Sequence, residues 1–120
     1  MNTYAQFLSQ HSLLVGETAF PGQLLDLGSY PGATYQLNSP TTVWGTVYNI
    51  GAKKSAILDQ LDAYEGIGDD YDQPHEYVRR VIPVRINNTW INCWVYLFNL
   101  STDGKKVIRS GDYVAHSKNE

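Results

Sequence analysis

The sequence predicts an α+β fold, a small barrel or strongly curled sheet with short helices packed at its side. Three observations carry this. Two β-rich runs, EYVRRVIPVRI and TWINCWVYLF, flank the pair Asn87-Asn88, which tolerates positive φ and so makes a tight hairpin. The run TTVWGTVYNI at 41–50 is rich in β-branched and aromatic residues. Helical spacing is confined to two short segments, so strands outnumber helices and are mostly hairpin-linked.

The elements follow in order. Residues 3–10 place Tyr4, Phe7 and Leu8 at i, i+3 and i+4 behind Asn2 or Thr3 as a cap, predicting a short helix. GQLLDLGSYPG, from Gly22, reads as a short strand stopped by a turn at Gly28, Pro31 and Gly32. In the strand over 41–50, Gly45 suggests a bulge or a close backbone approach. Lys53–Tyr64 is a helix, followed by an acidic loop, GIGDDYDQPHE. In the hairpin, Ile86 faces Thr89, which pairs Val81 with Trp94, Arg79 with Tyr96 and Tyr77 with Phe98. One face then carries Tyr77, Arg79, Trp94, Tyr96 and Phe98, unless Pro83 shifts the register. The tail closes with a turn at Ser110–Asp112 and a polar, frayed end.

Composition excludes several function classes. The chain of 120 residues fits one domain, 1–120, large enough for a core without metal or disulfide staples. A net charge of −3, with nine scattered Lys and Arg, offers no field for phosphates, so nucleic acid is not an expected partner. No apolar run approaches the ~20 residues that span a bilayer, and no signal-peptide pattern opens the chain. Cys93 is the single cysteine; its neighbours Trp90, Trp94 and Tyr96 mark a packed strand, and a cytoplasmic setting is expected. Asp69, Asp70 and Asp72 lack the spacing of a calcium loop, and His11, His75 and His116 lack metal-ligand spacing. All three histidines read as surface residues, and no metal or cofactor is expected. Ser110 reads as a turn former, since no nucleophile elbow surrounds it.

One residue breaks local rules. Leu58 and Leu61 mark the oily side of the helix, and the same spacing continues to Glu65. Gly66 supplies the left-handed stop, which puts Glu65 in the last turn, where exposed carbonyls disfavour an anion. A residue so out of place either bends outward into water or marks a functional site.

The ordered motifs Gly22-x-Leu24-x-Asp26-Leu27-Gly28-x-Tyr30-Pro31-Gly32, Val43-x-Gly45-x-Val47-Tyr48, Leu61-Asp62-x-Tyr64-Glu65-Gly66, Tyr77-x-Arg79 and Ser110-Gly111-Asp112-Tyr113 resemble the γ-glutamyl cyclotransferase-like (AIG2-like) family. Each piece is short; their order and spacing make the likeness specific. The resemblance implies a compact mixed β-barrel with flanking helices and a pocket at one mouth. It also implies cofactor-free cleavage of γ-glutamyl amino acids or γ-glutamylamines by internal cyclisation, which releases 5-oxoproline. Glu65 falls on the family's acid/base glutamate.

For the other candidates both readings stand. Tyr30 and Pro31 line the pocket mouth or merely shape a turn. Tyr77 orients Glu65 or substrate, or only packs its strand; Arg79 orients the site or, the favoured reading, pairs with a loop aspartate. The family's opening strand and turn, approximately tyrosine-glycine-threonine-leucine, has no counterpart before Tyr4. The expectation is therefore a barrel short one strand and a pocket short one wall, with dimerisation through the open edge. A catalytically inactive binding or scaffold module on the same fold is the alternative function.

Overall fold

The computed structural model describes residues 7, 8, 10 and 12–118. The helix expected over 3–10 lies largely outside them, as does His11; Phe7, Leu8 and Gln10 are helical. The described strands are β1 (Leu13–Pro21), β2 (Leu24–Asp26), β3 (Pro31–Ala33), β4 (Thr42–Asn49), β5 (Tyr77–Ile86), β6 (Thr89–Phe98) and β7 (Lys106–Val107). A 3-10 turn at Gly51–Lys53 leads into helix α1 (Lys54–Tyr64), and α2 (Tyr113–Lys118) closes the chain.

The hairpin forms in the expected register, with Tyr77 opposite Phe98 and Ile86 opposite Thr89. Asn87 and Asn88 both take positive φ, 51° and 65°, as a tight two-residue loop requires. Pro83 leaves the register intact. In such a hairpin Ile86 and Thr89 exchange backbone bonds, and alternation puts Pro83 and Asn92 at a non-bonded pair, where a missing N–H costs the ladder nothing. The Arg85 carbonyl, in the same phase, accepts from the Thr18 hydroxyl outside the hairpin at 2.7 Å.

The structure adds one strand to those expected and corrects two expectations. β1 pairs with β4, although LLVGETAFP carries little strand signal: Leu13 and Leu14 are exposed, and the register shifts between Leu14 and Gly16, so alternation is lost. Gly45 itself is not bulged; it sits opposite Thr18 in unbroken register, with open space where a Cβ would go. Asp112 caps α2 by accepting the Ala115 N–H at 3.1 Å, so residues 113 to 118 are helical, and the last two residues, where the frayed end is expected, lie outside the described ones. The strands do not close into a mixed barrel among the described residues. They form three antiparallel sheets, β1-β4, β3-β2-β7 and β5-β6. Closure needs a bonded strand at both outer edges of every sheet, and among the described residues β1, β4, β3, β7, β5 and β6 each have an outer edge without one.

The sheets enclose one core cluster of Phe20, Leu24, Val43, Ile82, Val84 and Ile108. Helix α1 buries Ile57, Leu58 and Leu61; Ile57 and Leu61 pack with Leu8. A third cluster, Leu25, Tyr77 and Phe98, ties the short sheet to the hairpin. These contacts hold the end of α1 against one mouth of the sheets.

Candidate active site

Helix α1 ends in a two-bond cap. The Ile67 N–H donates to the Asp62 carbonyl at 2.9 Å and the Gly66 N–H to the Ala63 carbonyl at 3.2 Å, with Gly66 at φ 70°. Glu65 is the residue at which the helix stops. Its side chain is half-buried and lines a cleft of about 1130 Å³. Among the described residues nothing hydrogen-bonds its carboxylate. Burial first, and the nearby Glu76 carboxylate second, push its pKa from 4.5 up to about 7.

The end of the turn between β2 and β3 lines the same cleft as Glu65. Asp26 accepts the Gly28 N–H at 2.9 Å and the Leu27 N–H donates to the Tyr30 carbonyl at 3.0 Å, a tight turn that thrusts out the Tyr30 ring. The Tyr30 hydroxyl donates to Glu76, and the Tyr77 hydroxyl donates to the Pro31 carbonyl at 2.6 Å. The Tyr30 and Tyr77 rings lie 6.5 Å apart. Burial, then Glu76 and Glu65, raise the Tyr77 pKa, so the phenol stays a donor through neutral pH. All four predicted site residues, Glu65, Tyr30, Pro31 and Tyr77, thus line one cleft.

Glu76 is the site residue that sequence reasoning missed. It reads as the polar end of an acidic loop, and only the approach of Tyr30, 46 positions away, reveals its place. Tyr30 and Glu76 also border a smaller hollow of about 380 Å³. Arg79 does pair with an aspartate, but Asp62 on α1 rather than a loop residue: its Nη1 lies 3.1 Å from Asp62 Oδ1, which also accepts from the Tyr96 hydroxyl at 2.6 Å. That link ties the last turn of α1 to the hairpin.

Two histidines are more than surface residues. His116 Nε2 meets Asp26 Oδ2 at 3.0 Å, anchoring α2 under the β2 turn, and His75 Nε2 meets the Gly68 carbonyl at 3.1 Å. A hydrogen bond from the Gly28 N–H, then His116, lowers the Asp26 pKa. Burial pushes the Cys93 thiol up, consistent with a packed rather than reactive side chain. Among the described residues no cluster of three His, Cys, Asp or Glu could hold a metal ion, and no helix is long and apolar enough to cross a membrane.

The arrangement is that of a half-buried carboxyl beside a cleft lined in part by Tyr30 and Tyr77. Comparison with known proteins agrees in fold and sequence. The solution structure of ytfP from Escherichia coli superposes with a TM-score of 0.65 at 30% identity, over 92% of this chain and 85% of that one. The crystal structure of the uncharacterized protein PH0828 from Pyrococcus horikoshii gives 0.60 at 15% identity, over 95% and 81%, a likeness of fold alone. The γ-glutamylcyclotransferase family protein YtfP of Escherichia coli K12 is 35% identical over 96 residues, 80% of this chain and 71% of that protein. A family model described as gamma-glutamyl cyclotransferase, AIG2-like, matches residues 1–115, and the chain belongs to that family.

Proposed function

We propose that this protein forms 5-oxoproline from γ-glutamyl amino acids or γ-glutamylamines, with Glu65 as the proton carrier. The observation that carries the reading is the carboxyl of Glu65, half-buried on the cleft wall, without a hydrogen-bond partner among the described residues and with a pKa of about 7. A group so poised both accepts and returns a proton near neutral pH.

The reaction needs little else from the protein. Glu65 takes a proton from the substrate's α-ammonium, and the freed amine attacks the side-chain carbonyl carbon to form the ring C–N bond. The old amide C–N bond then breaks as the protonated Glu65 delivers its proton to the leaving nitrogen. The ring nitrogen, left as NH2+ by the attack, gives up a second proton through Glu65 or water to the departing amine. In sum, two protons pass from the attacking to the leaving nitrogen, and 5-oxoproline departs with an ammonium. Holding the substrate folded supplies much of the rate, since aligned intramolecular attack is worth roughly 7–11 kcal/mol. Tyr30, the Pro31 segment and Tyr77 shape the wall against which it folds.

A binding module without turnover is the second reading, favoured by a cleft larger than a small substrate requires. One assay separates the two: 5-oxoproline release from γ-glutamyl dipeptides and γ-glutamylamines by the native protein and by Glu65→Gln. Release by the native protein and its loss in the variant is expected; no release from either substrate class rejects the enzyme.

A further inference from the structure

Glu76 holds the last position before β5, and its backbone is fixed there, because its carbonyl accepts the Asn99 N–H at 2.7 Å at the open end of the hairpin. Its side chain is fixed as well. Both carboxylate oxygens accept from the Tyr30 hydroxyl, the Tyr30 ring leans on Tyr77, and Tyr77 packs edge-on against Phe98 with ring centres 6.0 Å apart. A half-buried carboxylate is thus presented, already oriented, to the cleft that Glu65 lines.

Its partners leave its charge unmatched. Among the described residues the ion pairs are Arg79 with Asp62 and His116 with Asp26, and neither involves Glu76. Lys105 borders the smaller hollow together with Glu76 but makes no ion pair with it. The basic side chain that lines the cleft, Lys54, holds its ammonium over the Trp94 ring, 5.7 Å from the ring centre. A phenol supplies one proton to a carboxylate that has about four acceptor sites, so Glu76 keeps lone pairs for a further donor. Glu65, the other carboxyl of the cleft, already feels the Glu76 charge.

We propose that Glu76 is the anchor of the substrate's α-ammonium group, which it holds beside Glu65 through a charge-assisted hydrogen bond. The identity of the cation rests on the reaction proposed above, in which a γ-glutamyl compound carries an ammonium at the nitrogen that must attack. The labour is then divided. Glu76, oriented by Tyr30, binds the ammonium, and Glu65, whose carboxylate has no hydrogen-bond partner among the described residues, is left to move the proton. The bound cation also offsets the repulsion between the two carboxylates, which lowers the Glu65 pKa and readies it as a base when substrate arrives. A metal ion fits the corner poorly, since among the described residues no group of three His, Cys, Asp or Glu could hold one.

The test reads binding without turnover, in the full chain carrying Glu65→Gln. Two ligands are titrated by NMR, γ-glutamyl-butylamide and glutaric acid monobutylamide, which differ only in the α-ammonium. The first should bind about tenfold or more tightly than the second. Adding Glu76→Gln should raise the Kd of the first by about tenfold or more without raising that of the second, and Glu76→Asp should recover most of the loss. Asp103→Asn, which removes a charge bordering the smaller hollow, should change neither Kd by more than about twofold. Equal affinity for the two ligands, no saturable binding of the first, or a preference that survives Glu76→Gln overturns the anchor. So does a weakening of both ligands by Glu76→Gln, which assigns Glu76 a structural role, or an equal effect of Asp103→Asn, which assigns the preference to the general field. Failure of the native protein to release 5-oxoproline rejects the reaction alone, and the anchor stands wherever the preference depends on Glu76.

Discussion

The Tyr30 hydroxyl donates to both carboxylate oxygens of Glu76, at 3.0 and 2.8 Å. A phenol is a neutral donor, so the bond fixes the position of Glu76 without cancelling its charge. The hydrogen bond is the first cause of the raised Tyr30 pKa, and the Glu76 charge adds, after burial, to the raised pKa values of Glu65 and Tyr77. Glu76 is thus the second influence on the candidate proton carrier, after burial.

Replacing Glu76 by Gln keeps an acceptor for Tyr30 and removes the charge. The apparent pKa of Glu65 should move below about 7, with burial still holding it above 4.5. In a pH profile of kcat/KM for 5-oxoproline release, the rising limb should shift to lower pH. An unmoved limb means that the charge of Glu76 does not reach the group that titrates.

Glu65 should also leave a mark on stability. Its folded pKa, about 7, lies above the ordinary 4.5, so folding favours the protonated form. The resulting stabilisation is fully present below about pH 4.5 and is lost as pH rises through 7. Glu65→Gln is neutral at every pH and escapes that loss. Because the half-buried carboxyl is partly screened by water, the shift is discounted, and the variant should gain on the native protein by about 1–2 kcal/mol between about pH 4 and 8. Urea unfolding at both pH values measures it; a constant difference contradicts the buried carboxyl.

The position of Glu65 depends in turn on Asp62, one helical turn earlier. Asp62 Oδ1 accepts from both Arg79 and Tyr96, at 3.1 and 2.6 Å. The ion pair itself is partly exposed and contributes little, so the Tyr96 bond matters more. Asp62→Ala should cost about 1–3 kcal/mol in chemical denaturation and lower kcat by loosening the end of α1. Asp62→Asn retains an oxygen for Tyr96 and should recover part of both losses. Equal defects in the two variants count against an anchoring role.

What the sequence reveals here tracks how local the cause is. The Asn87-Asn88 loop sets the hairpin register by itself, and helical spacing alone marks Glu65 as misplaced. β1 is hidden because its first residues are exposed and its register shifts, so the alternation that identifies strands is absent. Glu76 and His116 acquire meaning only from partners 46 and 90 positions away, Tyr30 and Asp26.

The roles of Tyr77 separate by a single atom. Its hydroxyl donates to the Pro31 carbonyl at 2.6 Å and burial raises its pKa, so we predict that it holds the turn that carries Tyr30 and moves no proton. Tyr77→Phe keeps the ring packed on Phe98 and leaves that carbonyl without its donor. The expected result is a loss of about 1–2 kcal/mol in stability and a higher KM, as the Tyr30 wall shifts. The limb of the pH profile near 7 should stay in place, since Glu65 keeps its burial and Glu76 its charge. Disappearance of that limb in the variant would transfer the proton-carrying role from the carboxyl to the phenol.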